Sequence, residues 1–219
     1  MGLLALSDYL GKFWFSAEPM FGVIMVVCFT SIFRSFPDVS DSIVDRVLQA
    51  ALACCFAWGL VDGIFYVWES RFERRRKNSI IKMLRGDNKT EGAALIDSTM
   101  TDSYFDYLDE SDKKVAIEKI SQNLSKTEPT GINWKEDLVV VGISILLVLG
   151  TAILVIMPFY IIPDLMDALL VSNIMCIIVL FMLGFYREES KSIVRKVFNG
   201  QITALIGVII TVTTVILGG

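Results

Sequence analysis

Within the apolar run from Leu138 to Phe159, the twenty residues from Leu138 to Met157 carry no charged side chain. A helix that crosses the hydrocarbon core of a bilayer needs about 20 mostly apolar residues. Four further runs are mostly apolar: Pro19 to Phe33, Val47 to Trp68, Asp167 to Tyr186 and Val197 to Leu217. The first is the shortest, and the second is broken only by Gln49, Gly59, Asp62 and Gly63. In lipid a spanning backbone must satisfy its own hydrogen bonds, which a helix does internally. The expected fold is all-α: a polytopic membrane protein with five transmembrane helices and a small helical cytoplasmic insert.

Composition agrees with this and closes off several functions. Hydrophobic residues make up 54% and charged residues 20%, against roughly 45–50% and 25% in soluble domains. Lys and Arg number 20 against 24 Asp and Glu, so the basic excess of a nucleic-acid binder is missing. The chain has no histidine, which excludes a Ser-His-Asp triad, a Cys-His pair and histidine metal sites. Asp, Glu, Cys, Met and amide or backbone oxygen remain as metal ligands, and an enzyme is not expected. Cys28, Cys54, Cys55 and Cys176 each lie in an apolar run without a C-x-x-C pair. They predict small buried hydrophobes rather than zinc ligands or disulfides.

Ahead of the first run, Leu3, Leu6, Leu10, Phe13 and Trp14 recur at helical spacing, with Ser7, Asp8 and Lys12 between them. This predicts an amphipathic helix in the membrane interface. Pro19 is expected in the first turn of a new helix, where no backbone N–H is needed. Neither a basic leader nor a small-residue cleavage pattern suggests a cleaved signal peptide.

Lys12, the series Arg71, Arg74, Arg75, Arg76, Lys77, and the group Arg187, Lys191, Arg195, Lys196 all fall on one side of a five-span arrangement. The opposite side has only Arg34 and Arg46 in the first connection and no basic residue from Tyr160 to Met166. The positive-inside rule then places the N-terminus in the cytoplasm and the C-terminus outside.

The expected organisation is residues 1–69 (the interface helix and spans 1 and 2), 70–135 (the insert) and 136–219 (spans 3 to 5). Glu69 to Arg85 continues span 2 as a helix and stops at Gly86-Asp87-Asn88. Glu91 to Met100 and Ser111 to Leu124 predict two more helices, and Pro129-Thr130-Gly131 ends the insert. About 65 residues is close to the lower limit for an independent core. Asp97, Asp102, Asp106, Asp109, Glu110, Asp112 and Glu118 make its middle acidic, either as a solvated face or as a cation-attracting surface. No EF-hand spacing occurs among them.

Ionisable groups inside spans are costly and face a bundle interior or a cavity. Asp62 lies within span 2 and Glu18 at the start of span 1, at similar depth. Cys55, Gly59, Asp62, Tyr66 and Glu69 share one helical face by their spacing. Gly59 and Gly63 form G-x-x-x-G, which allows close helix approach and lends support to self-association. Met25, seven residues after Glu18, shares its face, and a carboxylate with a thioether suits a borderline transition ion. Each feature has a structural alternative: Glu18 at the positive end of its helix, Asp62 paired with a basic residue, Met25 in packing. Ser172-Asn173 in span 4 suits either helix bridging or a polar path. Between spans 3 and 4, Pro158 and Pro163 predict a backbone break.

Glu18-Pro19-Met20-Phe21-Gly22, the following Val23-Ile24-Met25, and Ala57-Trp58-Gly59-Leu60-Val61-Asp62-Gly63, set in five spans with an insert after the second, resemble the vacuolar iron transporter family, in its divergent prokaryotic branch. The proline-bearing junction, Ser172-Asn173 and the glycine-ended last span fit the same resemblance. It implies a homodimeric carrier exporting Fe2+ or Mn2+ from the cytoplasm in exchange for protons, in the cell membrane if the source is prokaryotic, with no permanently bound cofactor. It further implies Glu18 and Met25 as span-1 metal ligands, Asp62 as the span-2 carboxylate, and Glu69 and Glu73 as metal-gathering glutamates, with Cys55, Tyr66, Ser172 and Asn173 along the path. The chain departs from the better-known members in having its Asp-Gly pair in span 2, as Asp62-Gly63, and in lacking their S-M-x-x-G-E-Y pattern. A passive cation channel, a carrier of another small solute, and a membrane scaffold with a partner-binding insert are the alternatives.

Overall fold

A computed structural model of the chain describes residues 12–36, 38–100 and 104–218. Among them all regular structure is helical. The order is α1 (Lys12–Thr30), a 3-10 turn (Ser31–Arg34), α2 (Asp41–Arg85), α3 (Lys89–Met100), a second 3-10 turn (Tyr104–Tyr107), α4 (Glu110–Lys126), α5 (Trp134–Ile156), α6 (Pro158–Ile161), α7 (Leu165–Arg187) and α8 (Ile193–Gly218). Five segments are long and apolar enough to cross a membrane: Phe15–Arg34, Asp41–Arg85, Trp134–Ile161, Leu165–Arg187 and Ile193–Thr214. The protein is an all-α polytopic membrane protein, as its apolar runs predict.

Two helix boundaries differ from expectation. Pro19 does not open a helix but lies inside α1. A proline there removes one backbone bond, and membrane helices tolerate this when neighbours supply partners. The Thr151 hydroxyl of α5 lies 3.1 Å from the Pro19 carbonyl oxygen, so this turn of α1 is tied to α5. The expected interface helix falls largely outside the described residues, which include only Lys12, Phe13 and Trp14 of its members, as the first turn of α1. α2 begins at Asp41, ahead of the expected Val47, and runs unbroken for 45 residues. At 1.5 Å per residue it is about 68 Å long, more than twice the hydrocarbon thickness of about 30 Å, so it spans and continues beyond. It stops at Gly86, whose N–H lies 3.1 Å from the Lys82 carbonyl oxygen and 3.2 Å from that of Met83.

The chain divides into two compact units, 1–66 with 135–219, and 67–134. The first is built round a core drawn from four helices and a turn: Val23, Val26 and Val27 of α1, Phe33 of the 3-10 turn, Leu48, Ala51 and Cys55 of α2, Val148, Ala152 and Val155 of α5, and Leu169, Cys176 and Leu180 of α7. Large apolar side chains such as Leu146, Ile153, Ile178 and Leu205 stay on the outside, as a lipid-facing surface requires. The predicted break between α5 and α7 is present at Ile162, where the backbone turns extended (φ −99°, ψ 119°) ahead of Pro163, while Met157 beside Pro158 stays helical (φ −50°, ψ −39°). Asp164 then caps α7 by accepting from the Asp167 N–H at 2.8 Å.

The second unit packs α3 and α4 on the end of α2. Ile80, Leu84 and Ile96 are its buried core, joined by Leu95, Met100, Ile117, Ile120 and Leu124. Asn78 closes the unit by donating to the Thr130 carbonyl at 2.9 Å and accepting from the Thr130 N–H at 3.0 Å. Arg85 donates to the carbonyls of Ser125 at 2.8 Å and Thr127 at 3.0 Å, so the chain after α4 returns to α2.

Candidate cation site

Three helices meet because glycines let their backbones touch. A Cβ on Gly59 would lie 2.8 Å from Cα of Ile145, and one on Gly63 would lie 2.7 Å from Cα of Val141. The G-x-x-x-G of α2 is thus occupied by α5 of the same chain, and its expected support for self-association is corrected accordingly. On α1, a Cβ at Gly22 would collide with the carbonyl oxygen of Val148 on α5.

At this junction Glu18 of α1 is 0% exposed. Its Oε1 accepts a hydrogen bond from the Tyr66 hydroxyl of α2, and its Oε2 is buried with no partner. Ser144 of α5 is also 0% exposed; its hydroxyl acts on the Glu18 carboxylate without meeting strict hydrogen-bond geometry. Asp62, half-buried, stands close enough to Glu18 for the two carboxylates to repel. The Trp58 indole, one turn earlier on α2, hydrogen-bonds to Asp62. Among the described residues, neither carboxylate has a Lys or Arg acting on it. The expected alternative of an Asp62 ion pair is therefore not what the described residues contain.

Two acids and two hydroxyls form an all-oxygen donor set. Such ligands suit hard and borderline divalent ions over soft ones. Among the described residues no three of Asp, Glu and Cys converge as a metal cage. An ion here would depend on the Glu18–Asp62 pair, completed by the hydroxyls of Tyr66 and Ser144.

The other predicted residues lie elsewhere. Met25 sits two turns further along α1, with its Sδ 3.7 Å from Cys54 Sγ rather than beside Glu18. Cys55 is buried with its Sγ 4.0 Å from the Gly22 carbonyl oxygen. Ser172 bridges helices, donating to the Val155 carbonyl of α5 at 2.8 Å. Asn173, next to it, keeps a buried Oδ1 without a partner. Glu69 and Glu73 are exposed and belong to the second unit. There Glu73 lines a groove of about 340 Å3 with Arg76, Lys77, Ile80 and Ile96. Asp97, Asp109, Glu110, Asp112 and Glu118 are exposed too, while Asp102 lies outside the described residues, as does the side chain of Asp106.

Sequence reasoning missed Ser144 and Asp137. The signal for Ser144 was available, since it is a hydroxyl in the middle of an uncharged apolar run. Asp137 is 5% exposed and lies seven residues before Ser144, so both share one face of α5. At the edge of its apolar run it reads as an ordinary headgroup-level charge, and nothing in the sequence separates that from burial. No protein-family profile matches this chain, and no curated protein matches it either.

Proposed function

We propose that this chain is a secondary transporter of divalent metal ions, Fe2+ or Mn2+, exporting them from the cytoplasm in exchange for protons. The observation that carries the reading is the fully buried Glu18 carboxylate, with one oxygen unpartnered, beside a second carboxylate and, among the described residues, no basic counter-charge. Leaving a buried charge uncompensated is costly, and a bound cation removes that cost. In this mechanism the deprotonated Glu18–Asp62 pair takes the ion, with Tyr66 and Ser144 contributing hydroxyl oxygens. Protonation of the pair releases the ion, so metal and proton fluxes are coupled. The basic segments set the N-terminus in the cytoplasm and the C-terminus outside. The homodimer, the metal-gathering role of Glu69 and Glu73, and a passage past Met25, Cys55, Ser172 and Asn173 rest on the family resemblance.

The test is Fe2+ and Mn2+ uptake into proteoliposomes, with and without a pH gradient, for the wild type and Asp62→Asn. Gradient-dependent uptake that disappears in the variant supports the exchanger. Cation flux without proton flux supports a passive channel instead. No flux of either ion through folded protein sinks the transport reading and leaves a membrane scaffold.

A further inference from the structure

The helix that leaves the first unit carries a second chemically distinct surface. Along α2, successive residues turn about 100°, so Arg71, Arg75, Trp68 and Phe72 fall within an arc of about 100° on one side. Trp68 is 66% exposed and Phe72 is 65% exposed; Arg75 is exposed as well. Trp134 adds a third ring, 65% exposed, with the Arg71 guanidinium 4.1 Å from its centroid. The two acids of this stretch are on another side. Glu69 and Glu73 lie about 60° and 100° beyond Phe72, and Glu73 faces the groove floored by Ile80 and Ile96. Along α2 the stripe is therefore cationic and aromatic, with Glu69 and Glu73 outside its arc.

We propose that Trp68, Arg71, Phe72, Arg75 and Trp134 form a binding site for the headgroup of an anionic phospholipid. The two exposed indoles, Trp68 and Trp134, at the end of an apolar run are what the membrane–water interface favours, because each has an apolar body and a polar N–H, and Phe72 extends the apolar side of the stripe. A guanidinium presents a planar fork that matches a phosphate bidentately, and Arg71, stacked on Trp134, holds one such fork over an aromatic face. Arg75, one turn further on, supplies the second positive charge at about 6 Å along the axis. Basic side chains directly following a spanning helix gain free energy from anionic lipid in this zone. The site fixes the depth of α2 in the bilayer and makes the protein select its lipid neighbours by charge.

The test uses the delipidated full-length protein in detergent, titrated with phosphatidylglycerol or phosphatidylcholine and read by native mass spectrometry. Two interfacial basic residues give a preference of about thirtyfold for the anionic lipid. Arg71→Gln with Arg75→Gln is expected to reduce that preference to near unity, while Arg71→Lys with Arg75→Lys keeps most of it. Should the double glutamine variant fail to fold, Arg75→Gln alone decides the matter, with a loss of about fivefold expected. Equal binding of the two lipids by the wild type overturns the proposal. So does an undiminished preference in a folded glutamine variant, or displacement of the lipid by inorganic phosphate at equal concentration.

Discussion

The Tyr66 hydroxyl donates to one oxygen of Glu18 and leaves the other buried without a partner. One residue is on α1 and the other on α2, separated by 48 positions. The bond restrains the carboxylate, which Ser144 of α5 also acts on. Tyr66→Phe removes a donor bonded to Glu18 and leaves a buried acceptor unsatisfied, at a cost of about 1–3 kcal/mol. The thermal unfolding midpoint in detergent is expected to fall. In a Glu18→Gln background the same change is expected to cost less, as a double-mutant cycle will reveal.

Glu18→Gln separates a binding role from a structural one by the sign of its effect. Without metal the variant is expected to unfold at a higher temperature than wild type, because it removes repulsion from Asp62. Mn2+ at a hundred times its dissociation constant stabilises a one-site protein by about 2.7 kcal/mol. Wild type is expected to gain that increment and Glu18→Gln to lose it. A lower midpoint without metal, and an equal Mn2+ response in both proteins, would mark Glu18 as a structural residue only.

Glycines within the same protein are expected to differ sharply in tolerance. Gly63→Ala places a methyl 2.7 Å from a backbone carbon of α5, and overpacking of this kind costs about 1–3 kcal/mol. Gly150→Ala meets nothing within 4 Å and is expected to change stability by less than about 0.5 kcal/mol. Comparing the two unfolding midpoints in one detergent checks the packing of α2 on α5 directly.

Ser172 and Asn173 are neighbours with opposite expected responses. Ser172→Ala removes a 2.8 Å bond between α7 and α5, worth about 0.6 kcal/mol on average in a membrane. Asn173→Leu removes a buried acceptor that has no partner, and stability is expected to hold or rise. If transport is lost in the leucine variant while its stability holds, Asn173 belongs to the permeation path.

The second unit is small, and its core is correspondingly fragile. Leu84 is 5% exposed beside Ile80 and Ile96, and truncating a buried leucine costs about 2–5 kcal/mol. A core of this size supplies no more than about 3–5 kcal/mol. Leu84→Ala is therefore expected to expose residues 89–126 to proteolysis and hydrogen exchange while α5, α7 and α8 stay protected. Equal protection of both units would show that the insert's stability comes from elsewhere than this core.

The five spans were legible in the chain because the bilayer selects for length and apolarity, which are properties of a linear run. Arg71 to Lys77 did not interrupt the helical reading, and α2 continues through them to the glycine at which it was expected to end. The placement of Pro19 was not legible. A proline marks a helix start by local rules, whereas here it lies inside α1, on a turn that packs against Thr151, 132 residues away.

Of the candidate site, Glu18 and Asp62 could be found from the chain because a carboxylate in an apolar span is conspicuous wherever it lies. Tyr66 could be placed on the face of Asp62 by helical spacing. The sequence thus determined which helices form, which residues share a face and which acids are out of place, since each follows from the period of one helix and the solvent around it. The tertiary structure decided the rest: that Glu18 meets Tyr66 and Ser144, that Met25 stands against Cys54 instead, and that Gly59 and Gly63 admit α5. These depend on how three separate helices are rotated and staggered against one another, and no periodicity within a single helix encodes that relation.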